Sequence, residues 1–259
     1  MHVDYDRRQH EVYARGRAQS PAVLELWTAI LARYIPTRGN PVLLDVGAGI
    51  GTWSELMATA FEAKVLGIEP SERMRAVAQR EHPHPRVKYL AGSAERIPLP
   101  DASSDAALLS YVVHHMSDRD AGARELRRVL RPGGLVIVRS AFRESLSQVP
   151  FFEWFPTALA LDEQRMPTRA DATAMFEPHG FEVIASEVLW QETAPSLRVY
   201  YERLKLRAIS TLELLPDHEF DEGVARLRLA AEHETEPRPV TAPVDLLVFR
   251  RDERSTGRV

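Results

Sequence analysis

A glycine-rich turn constrains the fold of this chain more than any other feature. Residues 41–46 form an apolar, β-branched run that predicts a buried strand. Gly47, Gly49 and Gly51 follow at every second position, and Thr52 begins a helical pattern. Glycines let a backbone turn sharply and approach a ligand, and the N–H groups at the start of a helix attract negative charge. The stretch therefore predicts a strand–turn–helix unit that binds a carboxylate or phosphate group.

Composition narrows the class of protein. The chain has 259 residues, of which 44% are hydrophobic, enough for one large α/β domain with additions. A net charge of -4 gives no bulk electrostatic case for nucleic acid or a membrane surface. The absence of cysteine excludes disulfides, thiolate nucleophiles and cysteine-based metal sites, and no metal site is predicted. Without a signal-like N-terminus or a run of about 20 apolar residues, we expect a cytoplasmic protein that binds neither nucleic acid nor membranes.

Strands and helices alternate along most of the chain. The predicted strands are 41–46, 64–69, 87–90, 105–113, 135–138, 181–190 and 244–249. Helical patterns separate the first three strands from one another and the fourth from the fifth, whereas a proline-punctuated loop joins the third strand to the fourth. This alternation is typical of βαβ units. We therefore predict a single α/β domain over 1–259 with a doubly wound, seven-stranded, mostly parallel sheet.

The segments outside this alternation are predicted to cover the sheet. Residues 1–19 are polar and fit either a mobile tail or a lid; Ser20 and Pro21 then begin an amphipathic helix over 21–35. Residues 141–170 lose regular spacing and are rich in aromatic side chains. Helical spacing returns over 195–215 and 219–233. These aromatic and helical segments could roof an apolar pocket or simply fill the core between lid and sheet.

Residues that could bind a ligand or take part in catalysis lie just beyond the ends of the predicted strands. They are Gly47 to Gly51, Glu69, Ser93 and Ala94, Tyr111 to Met116, and Arg139 to Arg143. Ligands of doubly wound sheets bind beyond the carboxyl ends of the strands, where strand order reverses. This coincidence predicts one shared site.

The spacing of the glycines distinguishes between candidate cofactors. A dinucleotide fingerprint needs glycine or alanine where Thr52 stands, and a P-loop needs Gly-Lys-Ser/Thr, which is absent. The G-x-G-x-G form resembles the first motif of the class I S-adenosylmethionine-dependent methyltransferases, in the branch of small-molecule and quinone-type enzymes. The resemblance covers residues 40–140. Besides the glycine turn, it is carried by four further motifs at 67–71, 92–95, 105–116 and 130–134.

The resemblance implies a Rossmann-like methyltransferase fold that binds S-adenosylmethionine, with defined roles for single residues. The three glycines would admit the methionine part of the cofactor, Asp45 would act through water near its amino end, and Glu69 would accept hydrogen bonds from both ribose hydroxyls. The other implied cofactor contacts are Tyr13, Arg17, Pro70, Met74, Ser93, Ala94 and Tyr111.

Several of these positions have plainer explanations. Glu69 could cap the following helix, Met74 and Tyr111 could be core residues, and Ser93 stands where many relatives carry Asp. A serine hydroxyl accepts the hydrogen bond of the adenine amino group more weakly than a carboxylate does.

Two consecutive histidines are the candidates for catalysis. His114 and His115 follow the fourth predicted strand, and either could take a proton from the acceptor or orient it. Because neighbours on a strand point to opposite faces, at most one is expected to face the site, with His115 slightly favoured. The alternative is a histidine that fastens the loop to the next helix. Arg139, Arg143, Arg165 and Arg169 could recognise an anionic acceptor, but in a chain with 33 lysines and arginines we expect them to be solvated.

The predicted function is methyl transfer to a small-molecule acceptor in secondary or specialised metabolism. The chain is divided into an N-terminal lid or helix (1–35), a cofactor-binding core (40–140) and acceptor-site insertions (141–180 and 191–235). The alternatives are a non-methylating S-adenosylmethionine-binding enzyme such as a cyclase or decarboxylase, a regulatory protein, a nicotinamide-dependent dehydrogenase, and an RNA methyltransferase. The oligomeric state is expected to be monomer or homodimer.

Overall fold

A computed structural model describes residue 16 and residues 18–36 and 39–253. Its sheet has seven strands in the order β3-β2-β1-β4-β5-β7-β6. The strands are β1 (Val42–Val46), β2 (Lys64–Glu69), β3 (Val87–Ala91), β4 (Ser104–Ser110), β5 (Leu130–Ser140), β6 (Phe181–Ala194) and β7 (Val240–Arg251). β7 pairs antiparallel with both neighbours, whereas β1 to β5 pair in parallel. The predicted doubly wound, mostly parallel sheet is confirmed.

Helices lie on both faces of this sheet. They are α1 (Pro21–Leu31), α2 (Thr52–Ala60), α3 (Glu72–Glu81), α4 (Arg119–Val129), α5 (Pro156–Arg165), α6 (Arg169–Phe176), α7 (Leu197–Leu204), α8 (Ser210–Glu213) and α9 (Asp217–Glu232). Local sequence explains several helix starts. The side chains of Ser20, Ser71 and Asp118 accept hydrogen bonds from the backbone N–H three residues ahead, so each satisfies a donor at a helix N-terminus.

Two apolar layers enclose the sheet. One face buries Trp27 and Leu31 of α1 together with Met57 of α2. The opposite face buries Leu126 of α4 and Phe176 of α6. Because both faces of the sheet are covered, its central strands consist almost entirely of apolar residues, which is the pattern that made them recognisable.

A third apolar cluster forms a roof over the carboxyl ends of the strands. It combines residues that follow β5 with residues of α5, α7, α8 and α9. Phe155 and Phe220 stack there with ring centroids 5.7 Å apart. Phe142, by contrast, is completely buried in the sheet core and is not part of the roof.

Some predicted boundaries were wrong. β4 ends at Ser110, and Val113–His115 form a short 3-10 helix, so the histidines are not on a strand. The helical stretch 195–215 divides into α7 and α8 around Arg207, whose φ of 54° interrupts the helix. The strand predicted over 135–138 begins earlier, since β5 starts at Leu130, and α5 was not predicted at all.

Among the described residues, no helix combines the length and the apolar character needed to cross a bilayer.

Candidate functional site

The glycine turn joins β1 to α2 at the point where strand order reverses. β1 is flanked by β2 on one side and by β4 on the other, so the turn faces the crevice between β1 and β4. Gly47, Gly49 and Gly51 all have positive φ angles, of 72°, 54° and 91°. This left-handed backbone is costly for residues with a Cβ atom, which explains why glycine occurs at all three positions.

The three glycines differ in what surrounds them. A Cβ atom at Gly47 would lie 2.5 Å from Cγ2 of Val112, and one at Gly51 would lie 2.1 Å from the hydroxyl of Tyr89. A Cβ atom at Gly49 would meet nothing closer than Cε of Met74, at 3.9 Å. Internal packing thus accounts for Gly47 and Gly51, and Gly49 alone has open space beside it that a ligand can fill.

Met74 belongs to a small apolar cluster beside this turn. It is 2% exposed and packs with Ile50 and Val77. The two interpretations of Met74, core residue and cofactor neighbour, are therefore compatible: its side chain is buried and its terminal methyl group borders the open side of Gly49.

Glu69 ends β2 and connects the turn to the next helix. Its Oε2 accepts a hydrogen bond from the N–H of Gly49, and its Oε1 accepts one from the N–H of Ser71, both at 2.9 Å. The helix cap itself is the Ser71 hydroxyl, which accepts from the N–H of Met74. Glu69 therefore holds a carboxylate at the edge of the glycine turn, where a ribose would be recognised, and is not the cap of α3.

Asp45 is a buried carboxyl group behind the turn. It is 1% exposed, and its Oδ2 accepts a hydrogen bond of 2.6 Å from the Ser54 hydroxyl. Its Oδ1 has no hydrogen-bond partner among the described residues. Burial raises the pKa of Asp45 to about 7; the hydrogen bond from Ser54 opposes this shift and the charge of Glu69 adds to it.

Asp45→Asn is expected to change how stability depends on pH. Since the folded pKa of Asp45, about 7, lies above its ordinary value of 3.8, the folded state retains a proton that the unfolded state releases. The stabilisation from this proton is complete below the ordinary pKa and disappears as the pH rises through about 7. The cofactor-free wild type should therefore lose Tm relative to D45N between pH 5.5 and pH 8. Parallel Tm curves for the two proteins would contradict the assignment.

The remaining residues expected at the adenosine end are partly engaged with the protein itself. The Ser93 hydroxyl hydrogen-bonds to the Glu95 carboxylate and helps to lower the pKa of that group. Ala94 is 4% exposed, and Pro70 is exposed at the start of the α3 turn. Tyr13 and Arg17, predicted to clamp the carboxylate of the cofactor, lie outside the described residues.

Tyr111 and both histidines lie directly beyond β4. Tyr111 has a φ of 59°, unusual for a residue with a side chain, and its N–H donates to the carbonyl of Arg139. This turn leads into the 3-10 helix, where the imidazole centroids of His114 and His115 lie 4.0 Å apart. Both histidines line one cavity. The expectation that only one would face the site was wrong, because it assumed strand geometry.

The cavity, of about 160 Å³, lies between the strand ends and the roof. Its floor includes Tyr111, the two histidines and Arg139, and its roof includes Phe151 and Phe152. On the N-terminal side it is bordered by Gly16, Ala18 and Gln19. Val112, next to Tyr111 of the cavity floor, packs against Gly47 of the glycine turn.

Arg139 was expected to be solvated and is instead 2% exposed. Its guanidinium lies 4.6–5.0 Å from the ring centroids of Trp27, Trp53 and Tyr111. It also donates to Oε1 of Gln191 at 2.8 Å. Stacking on aromatic faces lets a guanidinium remain charged away from water. The same expectation was wrong for Arg165 and Arg169, which pair with the buried carboxylates of Asp162 and Asp245.

Sequence reasoning missed Asp162 and Gln191, both of which line the cavity. Asp162 is 3% exposed on α5, and burial raises its pKa. Gln191 accepts hydrogen bonds from Trp27 and Arg139, which are remote in sequence. An acidic residue within an apolar, aromatic stretch was the available signal for Asp162.

These features fit S-adenosylmethionine. Gly49 leaves space at the turn, Asp45 just before the turn has a buried oxygen without a hydrogen-bond partner among the described residues, and Glu69 places a carboxylate at the end of β2. Among the described residues, no group of three or more His, Cys, Asp or Glu side chains is arranged to hold a metal ion.

Comparison with known proteins agrees with this geometry. A family model described as a methyltransferase domain matches residues 44–138. The chain is 30% identical over 178 residues to the ubiquinone/menaquinone biosynthesis C-methyltransferase UbiE of Rubrivivax gelatinosus, covering 61% of this chain and 70% of the relative. It is 31% identical over 216 residues to the 27-O-demethylrifamycin SV methyltransferase of Amycolatopsis mediterranei, covering 78% and 76%.

Solved structures show the same fold. Phosphoethanolamine N-methyltransferase 2 of Haemonchus contortus, in complex with S-adenosyl-L-methionine, aligns with a TM-score of 0.63 at 20% identity, covering 96% of this chain and 59% of that one. The [4+2]-cyclase SpnF aligns with a TM-score of 0.62 at 23% identity, covering 92% and 85%. At such identities the similarity concerns the fold alone. Taken with the sequence relatives, the motifs and the glycine turn, these findings establish that the chain belongs to the S-adenosylmethionine-dependent methyltransferases and is an enzyme that uses this cofactor.

Proposed function

We propose that this enzyme methylates a small, largely apolar acceptor of specialised metabolism, bound in the cavity between the end of β4 and the roof. The observation that carries the proposal is the position of the His114–His115 pair. Both imidazoles line the cavity, and the floor on which they stand is joined to the glycine turn through the contact of Val112 with Gly47. This contact supports a cofactor site and an acceptor site that lie side by side.

The proposed cofactor site follows the strand ends from β1 to β4. The methionine part is assigned to Gly47, Gly49, Gly51, Asp45 and Tyr111, with Tyr13 and Arg17 as additional contacts, and the adenosine part to Glu69, Pro70, Met74, Ser93 and Ala94. The open side of Gly49 and the carboxylate of Glu69 support this assignment most directly.

The proposed division of labour along the chain follows from the cavity walls. Residues 40–140 hold the cofactor, and residues 1–35, 141–180 and 191–235 cover the acceptor. In support, Gly16, Ala18 and Gln19 border the cavity from one side, and a Cβ atom at Gly16 would lie 2.3 Å from that of Ala208, which also lines the cavity. Of the described residues before α1, Gly16 therefore packs against Ala208, as part of a lid would.

The chemistry requires few groups from the protein. S-Adenosylmethionine supplies a methyl group on a positively charged sulfur. The apolar roof excludes water and holds the acceptor in line for displacement. For an acceptor that arrives as a hydroxyl, an imidazole nitrogen of His115, with His114 beside it, takes the proton released at the acceptor oxygen.

The two sequence relatives support a small-molecule acceptor. One is named for C-methylation in ubiquinone and menaquinone biosynthesis, and the other for methylation of 27-O-demethylrifamycin SV. Quinones and rifamycins are small molecules. The similarity to SpnF concerns only the fold and does not favour a non-methylating function for this chain. The direct test is incubation with methyl-labelled cofactor and separate pools of quinols, phenols, macrocyclic alcohols and RNA. Label in a small molecule supports the proposal; label only in RNA, or in no pool, contradicts it.

His115→Asn is expected to lower kcat about tenfold with any acceptor found in this way, the equivalent of roughly 1.4 kcal/mol in the transition state. The smaller side chain still fills the turn, but it cannot take a proton. The affinity for S-adenosylhomocysteine, measured by calorimetry, should be unchanged. His218→Asn, at an exposed position of α9, is the matched control. Equal kcat values for wild type and H115N would remove His115 from the mechanism.

A further inference from the structure

Asp162 introduces a carboxylate into the apolar roof of the cavity. It lies on α5, is 3% exposed and lines the same cavity as the two histidines. The roof around it is formed by apolar side chains such as Leu146, Phe152 and Leu204. A carboxylate in such surroundings is costly unless hydrogen bonds compensate for the lost water.

The hydrogen bonds within the protein satisfy only part of this carboxylate. Thr211 of α8 shares its single hydroxyl proton between Oδ1 and Oδ2, each at 2.8 Å. Arg165 donates to Oδ1 at 3.1 Å. A carboxylate can accept about four hydrogen bonds. Among the described residues, the only donor to Oδ2 is the Thr211 hydroxyl, which Oδ2 shares with Oδ1. Burial raises the pKa of Asp162, which agrees with this incomplete compensation.

The other charges of the cavity indicate which donor would complete the set. Arg139, Arg203 and Glu192 line the cavity together with Asp162, and Arg139 is almost entirely buried. The two guanidinium groups already balance the two carboxylates, so a cationic ligand would add an uncompensated positive charge. A neutral hydroxyl group can donate to Oδ2 of Asp162 without adding charge.

We propose that Asp162 is a specificity-determining residue that accepts a hydrogen bond from a hydroxyl group of the methyl acceptor, separate from the atom that is methylated. This inference rests on the proposed function of the cavity. It assigns the acceptor to the hydroxylated apolar molecules with at least two polar positions. Thr211 and Arg165 are positioning residues that orient the carboxylate.

The test uses the enzyme loaded with S-adenosylhomocysteine and three naphthalene probes titrated by calorimetry. The probes are 1,5-dihydroxynaphthalene, 5-methoxy-1-naphthol and 5-aminomethyl-1-naphthol, which differ only in the second polar group. We expect wild type to bind the diol about tenfold more tightly than the methyl ether, as a hydrogen bond to a charged group predicts. In Asp162→Asn the ratio should fall to about one, because the amide can donate to the ether as well as to the hydroxyl.

The outcomes separate the two proposals. A diol-to-ether ratio that is near one in wild type, or unchanged in D162N, overturns the role of Asp162 and leaves the cavity as the acceptor site. Tightest binding of the ammonium probe overturns the hydroxyl assignment. If wild type binds S-adenosylhomocysteine but none of the probes, the proposed acceptor cavity fails, and the role of Asp162 with it.

A second variant covers the case in which D162N does not fold, as judged by Tm. Thr211→Val removes one of the two internal donors and leaves only Arg165, at Oδ1, so that Oδ2 is open to the acceptor. The preference for the diol should persist or increase in T211V. Loss of that preference in a folded T211V protein would contradict the proposal, since the carboxylate itself is still present.

Discussion

Gly49→Ala is expected to weaken cofactor binding about 100-fold while the enzyme remains folded. Within the protein the added methyl group would meet only Cε of Met74, at 3.9 Å, so packing tolerates it. The methyl group would occupy the space assigned to the cofactor, and overpacking of this kind costs about 1–3 kcal/mol. Calorimetric titration with S-adenosylhomocysteine measures the loss directly.

Gly133→Ala is the matched control for backbone strain. Gly133 has a φ of 75° and no atom within 4 Å of its added Cβ position, and it lies at the start of β5, away from the glycine turn. Both substitutions force alanine into a left-handed conformation at a cost of about 1 kcal/mol, so their Tm values should fall by similar amounts. Undiminished affinity in G49A would show that the cofactor does not approach this face of the turn.

Glu69→Gln is expected to reduce the affinity for S-adenosylhomocysteine by a similar factor of about 100. A carboxylate can accept hydrogen bonds from both ribose hydroxyls, and bonds to a charged group contribute about 1.5–3 kcal/mol each. Glutamine has one accepting oxygen, which must also serve the N–H groups of Gly49 and Ser71. Some loss of Tm is therefore expected as well, and it must be distinguished from the loss of recognition.

A cofactor analogue makes that distinction. Wild type should prefer S-adenosylhomocysteine over its 2′-deoxy analogue by about tenfold, the equivalent of one hydrogen bond, and E69Q should bind the two almost equally. Glu72→Gln, at the exposed first position of α3, should behave as wild type in both affinity and Tm. If E69Q still discriminates against the deoxy analogue, the ribose is recognised elsewhere.

The parts of the fold that could be predicted from sequence are those determined by neighbouring residues. The buried strand before Gly47, the acid that ends β2 and the capping serine Ser20 lie in short stretches whose conformation depends on local preferences. The order of these stretches was sufficient to predict the sheet and one shared site, because parallel sheets bring strand ends together at one edge. The cofactor was predicted from the resemblance of the motifs to those of class I methyltransferases.

The contents of the acceptor cavity could not be predicted, because they depend on contacts between distant parts of the chain. Arg139 is buried by Trp27 and Gln191, and Asp162 accepts a hydrogen bond from Thr211, which is 49 residues away in the sequence. Nothing in the local sequence of Arg139 distinguishes it from a solvated arginine. The prediction of the histidine geometry was wrong for a different reason. The left-handed backbone of Tyr111 ends β4 early, although the apolar run continues to Val113.

The unequal surroundings of the three glycines also have an evolutionary consequence. Gly47 and Gly51 are required by Val112 and Tyr89, so a descendant that abandoned the cofactor would still need both to keep its fold. Gly49 would then be held only by its left-handed backbone, which costs a residue with a Cβ atom about 1 kcal/mol, so it would be the least constrained of the three. Within lineages of this chain, the residue at position 49 should therefore record whether the cofactor is still bound, whereas the outer glycines should persist in functional and non-functional copies alike.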